Sequence, residues 1–453
     1  MIETRKLSAT EQVVEILNRL TSSSNSLVIG RILGPLSEEI VRQALALVQT
    51  HHSRLNSRIV GDLDNLRFET GAKKIPLRVV DMQHPRKWQE TVLEELNTKI
   101  ESSEVLLRAV LVQGREQSEN SASYLIVTIN HAITDGRSII QLYSEILTCC
   151  SKIASGEPVA PVPSLPALPP IDELLPPSTK GFRGNINKLS FVLRLLFKAM
   201  WYRPKSLSFE KTVPLELRRT GNVYRQLDTQ VTQQLITRCF QERTTVQCAL
   251  CAAMIFATAR KIRAEQKTCV CCMNAVDLRR RLKAMIGNEH MAALACSIAS
   301  YHTLGTNTSF WELAREVTQE VEVALRRGDI FNIVLMYRKM IDLTLTRPDL
   351  APYTVGMSYV GRVNIPRVYG QFKLSEISTT AGQATFGGFL LGIVTTFEEK
   401  MFFNFSFSQP AISQKTAETL VDSFLSCLVD VATNLKDLPI NNFVGSIALP
   451  NDL

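Results

Sequence analysis

A proline-rich stretch in the middle of the chain restricts its fold more than any other feature. Residues 156–181 read GEPVAPVPSLPALPPIDELLPPSTKG and hold eight of the nineteen prolines in a chain of 453 residues. Proline fixes φ and lacks a backbone N–H, so neither a helix nor a central strand can run through this stretch. The stretch therefore predicts an extended connector, and the chain length favours one domain on each side of it.

Helices and strands are predicted to alternate on both sides of the connector. Apolar patterns typical of strands occur at 26–33, 77–82, 105–113, 123–131, 268–282, 354–363, 387–397 and 401–409. Helical spacing of apolar residues is clearest at 139–150, 243–262, 310–328 and 416–435. Such alternation indicates layered α/β domains. We predict an N-terminal domain over 1–155, a linker over 156–185 and a C-terminal domain over 186–453.

The composition is that of a folded globular protein with a basic excess. Hydrophobic residues make up 45% of the chain, charged residues make up 21%, and the formal net charge is +8. A basic excess favours anionic partners in general. The cluster DLRRRLK (277–283) lacks interleaved aromatic residues, so we expect no nucleic-acid partner. We expect the chain to be a monomer.

No stretch of the sequence is predicted to cross a membrane. The longest apolar stretch, 189–201, carries Arg194 and Lys198 and is too short to span a bilayer. The N-terminus has neither an apolar run nor a small-residue cleavage site, so no signal peptide is predicted. We therefore expect a cytoplasmic protein with reduced cysteines, and a peripheral membrane contact stays open.

The strand at 123–131 ends on one of only six histidines in the chain. His131 is followed by Asp135 and Gly136 in the stretch TINHAITDGRS. In one interpretation, His131 fills space at the strand end and Asp135 caps the helix that begins near Arg137. In the other, the strand end holds the imidazole in a cavity as a general base, and Asp135 pairs with an arginine to fix the loop. The spacing alone leaves both interpretations open.

Two cysteine pairs have the spacing of a zinc site. Cys248 and Cys251 are followed, after seventeen residues, by Cys269 and Cys272. The first pair falls in an apolar helix, and positions i and i+3 of a strand point to opposite faces. We therefore expect no metal site and interpret these cysteines as small buried thiols.

Five segments together resemble one family of enzymes. NHAITDG resembles the His-His-x-x-x-Asp-Gly motif of the chloramphenicol acetyltransferase-like and condensation-domain superfamily. Within it, the chain resembles the polyketide-associated acyltransferases typified by phthiocerol dimycocerosyl transferase. The other matching segments are RKLSATEQ (5–12), HHSRLNSRI (51–59), NAVDLRRRL (274–282) and ASYHTLGTNTSFWELA (299–314). The resemblance implies two α/β chloramphenicol acetyltransferase-like domains with an active-site channel at their interface.

The resemblance also implies a reaction. An acyl group would pass from a thioester, carried by coenzyme A or an acyl carrier protein, to the hydroxyl of an alcohol acceptor, with no cofactor besides that donor. His131 and Asp135 are the candidate catalytic residues: His131 is the expected general base, and Asp135 is expected to orient the loop that Gly136 supports. An imidazole titrates near neutral pH and is suited to this proton transfer.

Departures from the family motifs affect the supporting residues. Related condensation domains carry an arginine where Asn56 stands here, so that partner for Asp135 is missing. We predict that Arg279, in the Val-Asp-Leu-Arg segment, pairs with Asp135 instead. Asn130 replaces the first histidine of the motif. Ser358 and Gly361 loosely match a Ser-Asn-x-Gly segment, and we expect them to line the site together with Asn130.

Two other functions remain open at this point. The same histidine would serve an amide-forming condensation enzyme, although the absence of a carrier or adenylation region favours ester formation. A non-catalytic relative that only docks carrier proteins is disfavoured by the intact His-x-x-x-Asp-Gly sequence. The helix predicted over 186–202 either packs as an ordinary helix or covers a channel for long acyl chains.

Overall fold

The computed structural model describes residues 4–21, 23–114, 121–158, 164–207, 209–262, 267–305, 307–347, 351 and 353–434. Its helices are α1 (Ala9–Thr21), α2 (Glu38–His51), α3 (Lys87–Asn97), α4 (Gly136–Ala154), α5 (Ile171–Leu174), α6 (Gly181–Tyr202), α7 (Thr229–Gln241), α8 (Val246–Ile262), α9 (Phe310–Arg327), α10 (Asp329–Leu345) and α11 (Gln414–Thr433). Its strands are β1 (Thr4–Lys6), β2 (Asn25–Leu33), β3 (Ser57–Val60), β4 (Arg67–Thr70), β5 (Leu77–Asp81), β6 (Leu107–Gln113), β7 (Ala122–Asn130), β8 (Arg219–Leu227), β9 (Thr268–Asp277), β10 (Ala295–Leu304), β11 (Val355–Arg362), β12 (Val368–Tyr369), β13 (Phe372–Ala381), β14 (Leu390–Phe397) and β15 (Lys400–Gln409).

Two six-stranded sheets form the centre of the molecule. The first sheet has the order β12-β13-β2-β7-β6-β5, and the second has the order β10-β9-β11-β14-β15-β8. A small three-stranded sheet, β1-β4-β3, accompanies the first. Helices cover these sheets, which confirms the layered α/β fold predicted from the sequence.

Membership of the two sheets does not follow the order of the chain. Strand β13 comes from the C-terminal part, yet it pairs antiparallel with β2 in the first sheet, with Ala381 opposite Ser26. The first sheet therefore contains strands from before and after the linker at 156–185, so the linker marks a boundary in the sequence but not between the two sheets. An apolar alternation predicts a strand but does not specify its partner, which explains this difference.

The described residues of the connector are held in place by backbone hydrogen bonds, and helix α6 begins inside the predicted linker range, at Gly181. The Leu165 N–H donates to the His51 carbonyl at 2.8 Å, and the Lys283 N–H donates to the Leu174 carbonyl at 2.9 Å. The short helix α5 interrupts it, and Leu175 is fully buried. The connector thus contacts both halves of the chain. Its residues 159–163, and residue 435 of the last predicted helix, lie outside the described residues.

Helix α4 packs on the first sheet through a buried apolar face that includes Tyr143. The Tyr143 hydroxyl donates to the Leu125 carbonyl at 3.1 Å, and its ring packs over Gly30 of β2. A Cβ at Gly30 would lie only 2.3 Å from the Tyr143 hydroxyl oxygen, so the strand needs glycine there. This packing sets the position of α4, whose first turn follows His131.

Among the described helices, no single one is long and apolar enough to cross a membrane. Helices α7 and α8 reach the length and composition of a span only when taken together, and they are bent by 103° where they meet. Helix α8 packs in the core of the second sheet, where Cys248 and Cys251 are buried.

Candidate active site

Strand β7 ends at Asn130, and His131 begins a short 3-10 turn that leads into α4. The His131 Nδ1 atom lies 2.6 Å from the Thr134 carbonyl oxygen. A carbonyl only accepts hydrogen bonds, so Nδ1 carries the proton and Nε2 keeps a free lone pair. His131 is half-buried, and its backbone N–H donates to the Ser24 carbonyl at 3.3 Å. The turn therefore presents an imidazole whose tautomer suits a base acting through Nε2.

Asn130 does not line an open site, which corrects the prediction from the sequence. Its side chain is fully buried, and Nδ2 donates to Glu15 Oε2 at 2.9 Å. Its Oδ1 accepts from the Ala132 N–H at 2.9 Å, which caps the 3-10 turn from inside. An amide at this position thus supports the turn from the core side, next to a buried carboxylate on α1.

Asp135 serves as a helix cap and as an ion-pair partner at the same time. Its Oδ1 accepts from the backbone N–H groups of Arg137 and Ser138 at 3.0 and 3.1 Å, at the first turn of α4. Its Oδ2 accepts from Arg279 Nη1 at 2.5 Å and from the Leu294 N–H at 3.0 Å. The two interpretations of Asp135 left open by the sequence are therefore compatible, because each uses a different carboxylate oxygen.

The surroundings of Asp135 keep its carboxylate charged. Complete burial would by itself raise the pKa of Asp135, but the charge and hydrogen bond of Arg279, together with backbone hydrogen bonds, outweigh this effect. Backbone hydrogen bonds from Ser138 and Leu294 act in the same direction, so the pKa of Asp135 lies below its ordinary value. Asp135 is therefore a charged, fully engaged group that holds the turn in place.

The pairing of Asp135 with Arg279 joins the two halves of the chain. Arg279 follows β9 of the second sheet, whereas Asp135 follows β7 of the first. Both side chains are only 3% exposed. Because the pair is buried, removing Arg279 leaves the Asp135 charge uncompensated in the interior, and removing Asp135 leaves Arg279 with only the more distant Asp277, at 3.5 Å. The position of the His131 turn thus depends on the C-terminal half.

A second ion pair lies beside the first and was not predicted from the sequence. Arg137 Nε lies 3.1 Å from Asp277 Oδ2, and these side chains are 46% and 29% exposed. Asp277 Oδ1 also accepts from the backbone N–H of Arg279 at 3.1 Å. Both loops contain an Asp-x-Arg sequence, at 135–137 and 277–279, and this repeated pattern is the signal that could have identified the pair.

Gly136 lies where strand β11 approaches the turn. A Cβ added at Gly136 would lie 3.0 Å from a methyl carbon of Val360, which leaves no room for a larger residue without movement. The strand is irregular here, because the register shifts between Tyr359 and Gly361, and Gly361 has a φ of 104°. This irregularity brings the strand next to the first turn of α4.

Ser358 lies on the face of the second sheet that is turned toward the first. Met357 and Tyr359 pack with the apolar core on the α8 side of the sheet, so Ser358 between them faces the opposite side. On that side, the Thr395 hydroxyl of β14 donates to the Ile377 carbonyl of β13 at 3.1 Å. The predicted role of Ser358 and Gly361 in lining the site stays a prediction.

One group of side chains in the described residues has ligand atoms close enough for a metal ion. The ligand atoms of His51, His52 and Glu145 lie within 4.8 Å of one another. His52 Nε2 lies 2.7 Å from Glu145 Oε2, so a hydrogen bond between these two side chains explains why two of the three residues lie so close together. Burial raises the pKa of the Cys248 and Cys251 thiols, as expected for protonated core residues.

Comparison with known proteins supports the family inferred from the sequence. Residues 218–384 match the family model described as the phthiocerol/phthiodiolone dimycocerosyl transferase C-terminus. The resemblance to this family is thus confirmed for a segment that contains Arg279, Ser358 and Gly361. No curated protein matches the chain by sequence.

Solved structures establish the class of fold. The trichothecene 15-O-acetyltransferase TRI3 from Fusarium sporotrichioides superposes with a TM-score of 0.78 at 10% identity, covering 95% of this chain and 96% of that one. Polyketide synthase associated protein 5 from Mycobacterium tuberculosis gives 0.69 at 16% identity, covering 95% and 98%. The first condensation domain of the calcium-dependent antibiotic synthetase gives 0.72 at 13% identity, covering 98% and 99%. The chain therefore has the fold of the chloramphenicol acetyltransferase-like superfamily, whose members here include acetyltransferases and condensation domains.

Proposed function

We propose that this protein transfers an acyl group from a thioester to a hydroxyl, with His131 as the general base. The observation that carries the proposal is the hydrogen bond of 2.6 Å between His131 Nδ1 and the Thr134 carbonyl, which leaves Nε2 free to accept a proton. The match of residues 218–384 to a transferase family supports the acyl-transfer class.

The proposed reaction needs one base and no covalent enzyme intermediate. His131 Nε2 takes the proton of the acceptor hydroxyl as its oxygen attacks the thioester carbonyl. The tetrahedral intermediate then collapses, the carbon–sulfur bond breaks, and the departing thiolate receives the proton from the imidazolium. An ester and a free thiol are the products, and the base returns to its starting state. The donor is coenzyme A or an acyl carrier protein.

Asp135 acts in this scheme as a positioning residue. Its two oxygens are occupied by the α4 N-terminus, Arg279 and the Leu294 N–H, so it is not free to bind substrate. It holds the first turn of α4 and, through it, the carbonyl that orients the imidazole. Arg279 has the same role from the second half of the chain.

Free-thiol release from a panel of acyl thioesters tests the proposal. We expect release that depends on an added alcohol, an ester product by mass spectrometry, and loss of both in His131→Ala. His84→Ala is the matched control, because His84 is 45% exposed and pairs with Glu90 far from the turn in sequence. Thiol release that depends on an amine and yields an amide would instead identify a condensation enzyme. No thiol release with any donor would overturn acyl transfer.

A further inference from the structure

Helix α6 exposes a continuous apolar stripe. Eight of the eighteen exposed large apolar side chains in the described residues lie on this one helix. They are Phe182, Ile186, Leu189, Leu193, Leu196, Phe197, Met200 and Trp201, and we call them the α6 stripe. Their spacing of three and four residues places them on one side of the helix. An apolar surface of this extent marks a binding surface more often than chance exposure.

The α6 stripe is turned away from the rest of the protein. The opposite side of the helix is its attached side, where Gly184 and Phe191 are buried and the Tyr202 ring stacks on Tyr301 with centroids 5.5 Å apart. Arg194 also pairs with a carboxylate on α10 at 2.7 Å. An ordinary packing helix buries its apolar side. In α6 that side is exposed, and five of the stripe residues line a surface groove together with Arg327 of α9.

The charged side chains of α6 itself are all basic, and two of them are paired with neighbouring helices, Arg194 with Asp329 and Lys198 with Glu320. The helix contains Arg183, Lys188, Arg194 and Lys198 and no acidic residue. At 100° per residue, Arg183 and Arg194 lie along one margin of the stripe, and Lys188 lies beyond the other. Trp201, at 71% exposed, stands near the C-terminal end of the helix. An exposed apolar face bordered by basic residues and ending in an aromatic residue is typical of helices that lie in a lipid interface.

We propose that α6 docks the protein on an anionic lipid surface, with the α6 stripe inserted among the headgroups and the basic margins on the lipid phosphates. A second copy of the chain fits this face less well. Two stripes packed together would bring the basic margins of both helices close, and α6 offers no acidic residue to compensate them. The inference does not depend on the proposed chemistry, because docking is measured without turnover.

Tryptophan fluorescence gives a direct measure of docking. The chain has three tryptophans, and Trp88 and Trp311 are only 7% and 1% exposed, so a change on lipid binding reports on Trp201. We expect a blue shift when the full chain meets vesicles of equal parts phosphatidylcholine and phosphatidylglycerol. We expect a much smaller shift with pure phosphatidylcholine vesicles, because the basic margins then lack anionic partners.

Two matched variants separate the stripe from general surface hydrophobicity. In Leu193→Ser/Phe197→Ser, we expect vesicle partitioning by flotation to fall about tenfold or more, because two large side chains no longer enter the lipid. Phe240→Ser is the control, since Phe240 is 86% exposed but lies on α7. It should partition like the unaltered protein, and all three proteins should keep the same circular dichroism spectrum.

Three outcomes would overturn the proposal. The first is no binding of the full chain to anionic vesicles, and the second is equal binding by the double serine variant. The third is a dimer in analytical ultracentrifugation that dissociates in the double serine variant, because a second copy would then cover the stripe. A fall in partitioning on Arg183→Gln/Lys188→Gln, with the circular dichroism spectrum unchanged, would support the role of the basic margins.

Discussion

Strands β7 and β9 end in similar ways but contribute differently to the candidate site. Each is followed by a loop with an Asp-x-Arg sequence, and the two loops bind each other through Asp135 with Arg279 and Arg137 with Asp277. The loop after β7 carries the candidate base His131, whereas the histidine of the loop after β9, His290, comes eleven residues after Arg279 and lies beside Glu289. The first sheet thus supplies the candidate base, and each loop supplies one acid and one arginine to the two ion pairs that hold it. Activity and stability should therefore be separable by mutation, one residue at a time.

The two ion pairs together form what we call the interlock of the two loops, and they differ in burial. We call Asp135–Arg279 its buried arm and Arg137–Asp277 its exposed arm. Asp135 and Arg279 are each 3% exposed, whereas Arg137 and Asp277 are 46% and 29% exposed. When one partner of a buried pair is removed, the charge of the other partner stays in the interior without compensation. In an exposed pair, water and salt screen the remaining charge. The comparison therefore predicts a large effect from one arm and a small effect from the other.

The largest expected effect is on the rate, at the loop that carries the histidine. His131→Ala should lower acyl-transfer turnover by about 10²–10⁴, the usual contribution of a general base. The free energy of unfolding should change little by comparison, since the ring makes one hydrogen bond, to the Thr134 carbonyl. Thiol release and chemical denaturation on the same preparation check both points. Turnover close to that of His84→Ala would remove His131 from the mechanism.

Breaking the buried arm should chiefly cost stability. Asp135→Ala and Arg279→Ala should each lower the free energy of unfolding by about 3–5 kcal/mol, because each removes the nearest partner of a buried charge. The double variant should be little worse than Asp135→Ala, which already lacks both the ion pair and the helix cap, and should cost more than Arg279→Ala by about the worth of that cap. Chemical denaturation of the four proteins gives the coupling energy. Strict additivity would show that the two residues do not depend on each other.

Acid provides an independent test of the same arm. The folded-state pKa of Asp135 is lowered, so its contribution is fully present above the unfolded-state value, about 4, and is lost as the pH falls through the folded value. We therefore expect the difference in unfolding free energy between the unaltered protein and Asp135→Asn to shrink in acid. A difference that stays constant from neutral pH down to about 2 would contradict the lowered pKa.

The local pattern around His131 was easier to predict from the sequence than the contacts that support it. A strand ending on His131 and a nearby carboxylate are visible as a local pattern, and family resemblance identified Arg279 as the partner. The direction of the Asn130 side chain was not visible, because it depends on Glu15, which lies 115 residues away in the chain. Arg137 and Asp277 were missed because an exposed charge at a helix start is ordinarily interpreted as solvated.

The sequence predicted the class of fold, but it missed a strand that pairs with a partner far away in the chain. The strands at 26–33 and 123–131 have continuous apolar patterns and were found. Strand β13 was not, since its sequence FKLSEISTTA lacks such a run and gains its burial by pairing with β2. The exposure of the α6 stripe was also missed, because an amphipathic pattern predicts two faces and not which one meets the protein.

A smaller effect is expected where β11 meets the turn. In Gly136→Ala, the added Cβ would lie 3.0 Å from Val360, so β11 or α4 must shift by a few tenths of an ångström. Overpacking of this kind costs about 1–3 kcal/mol of unfolding free energy. Gly136→Ala/Val360→Ala removes the opposing methyl groups and should recover part of the loss relative to Val360→Ala alone. No recovery would mean that the turn requires glycine for another reason.

The smallest effect is expected at the exposed arm, and it tests whether burial decides the difference between the arms. Arg137→Ala should lower the free energy of unfolding by about 0–1 kcal/mol, and the loss should disappear in about 1 M salt, where exposed charges are screened. The cost of Asp135→Ala should persist in the same salt, because its pair is buried. Asp277→Ala should cost more than Arg137→Ala, since Asp277 also accepts the Arg279 backbone N–H at 3.1 Å and so supports the buried arm. Denaturation curves at low and high salt measure all three. If Arg137→Ala proved as costly and as salt-resistant as Asp135→Ala, the exposed arm would carry as much of the interlock as the buried one.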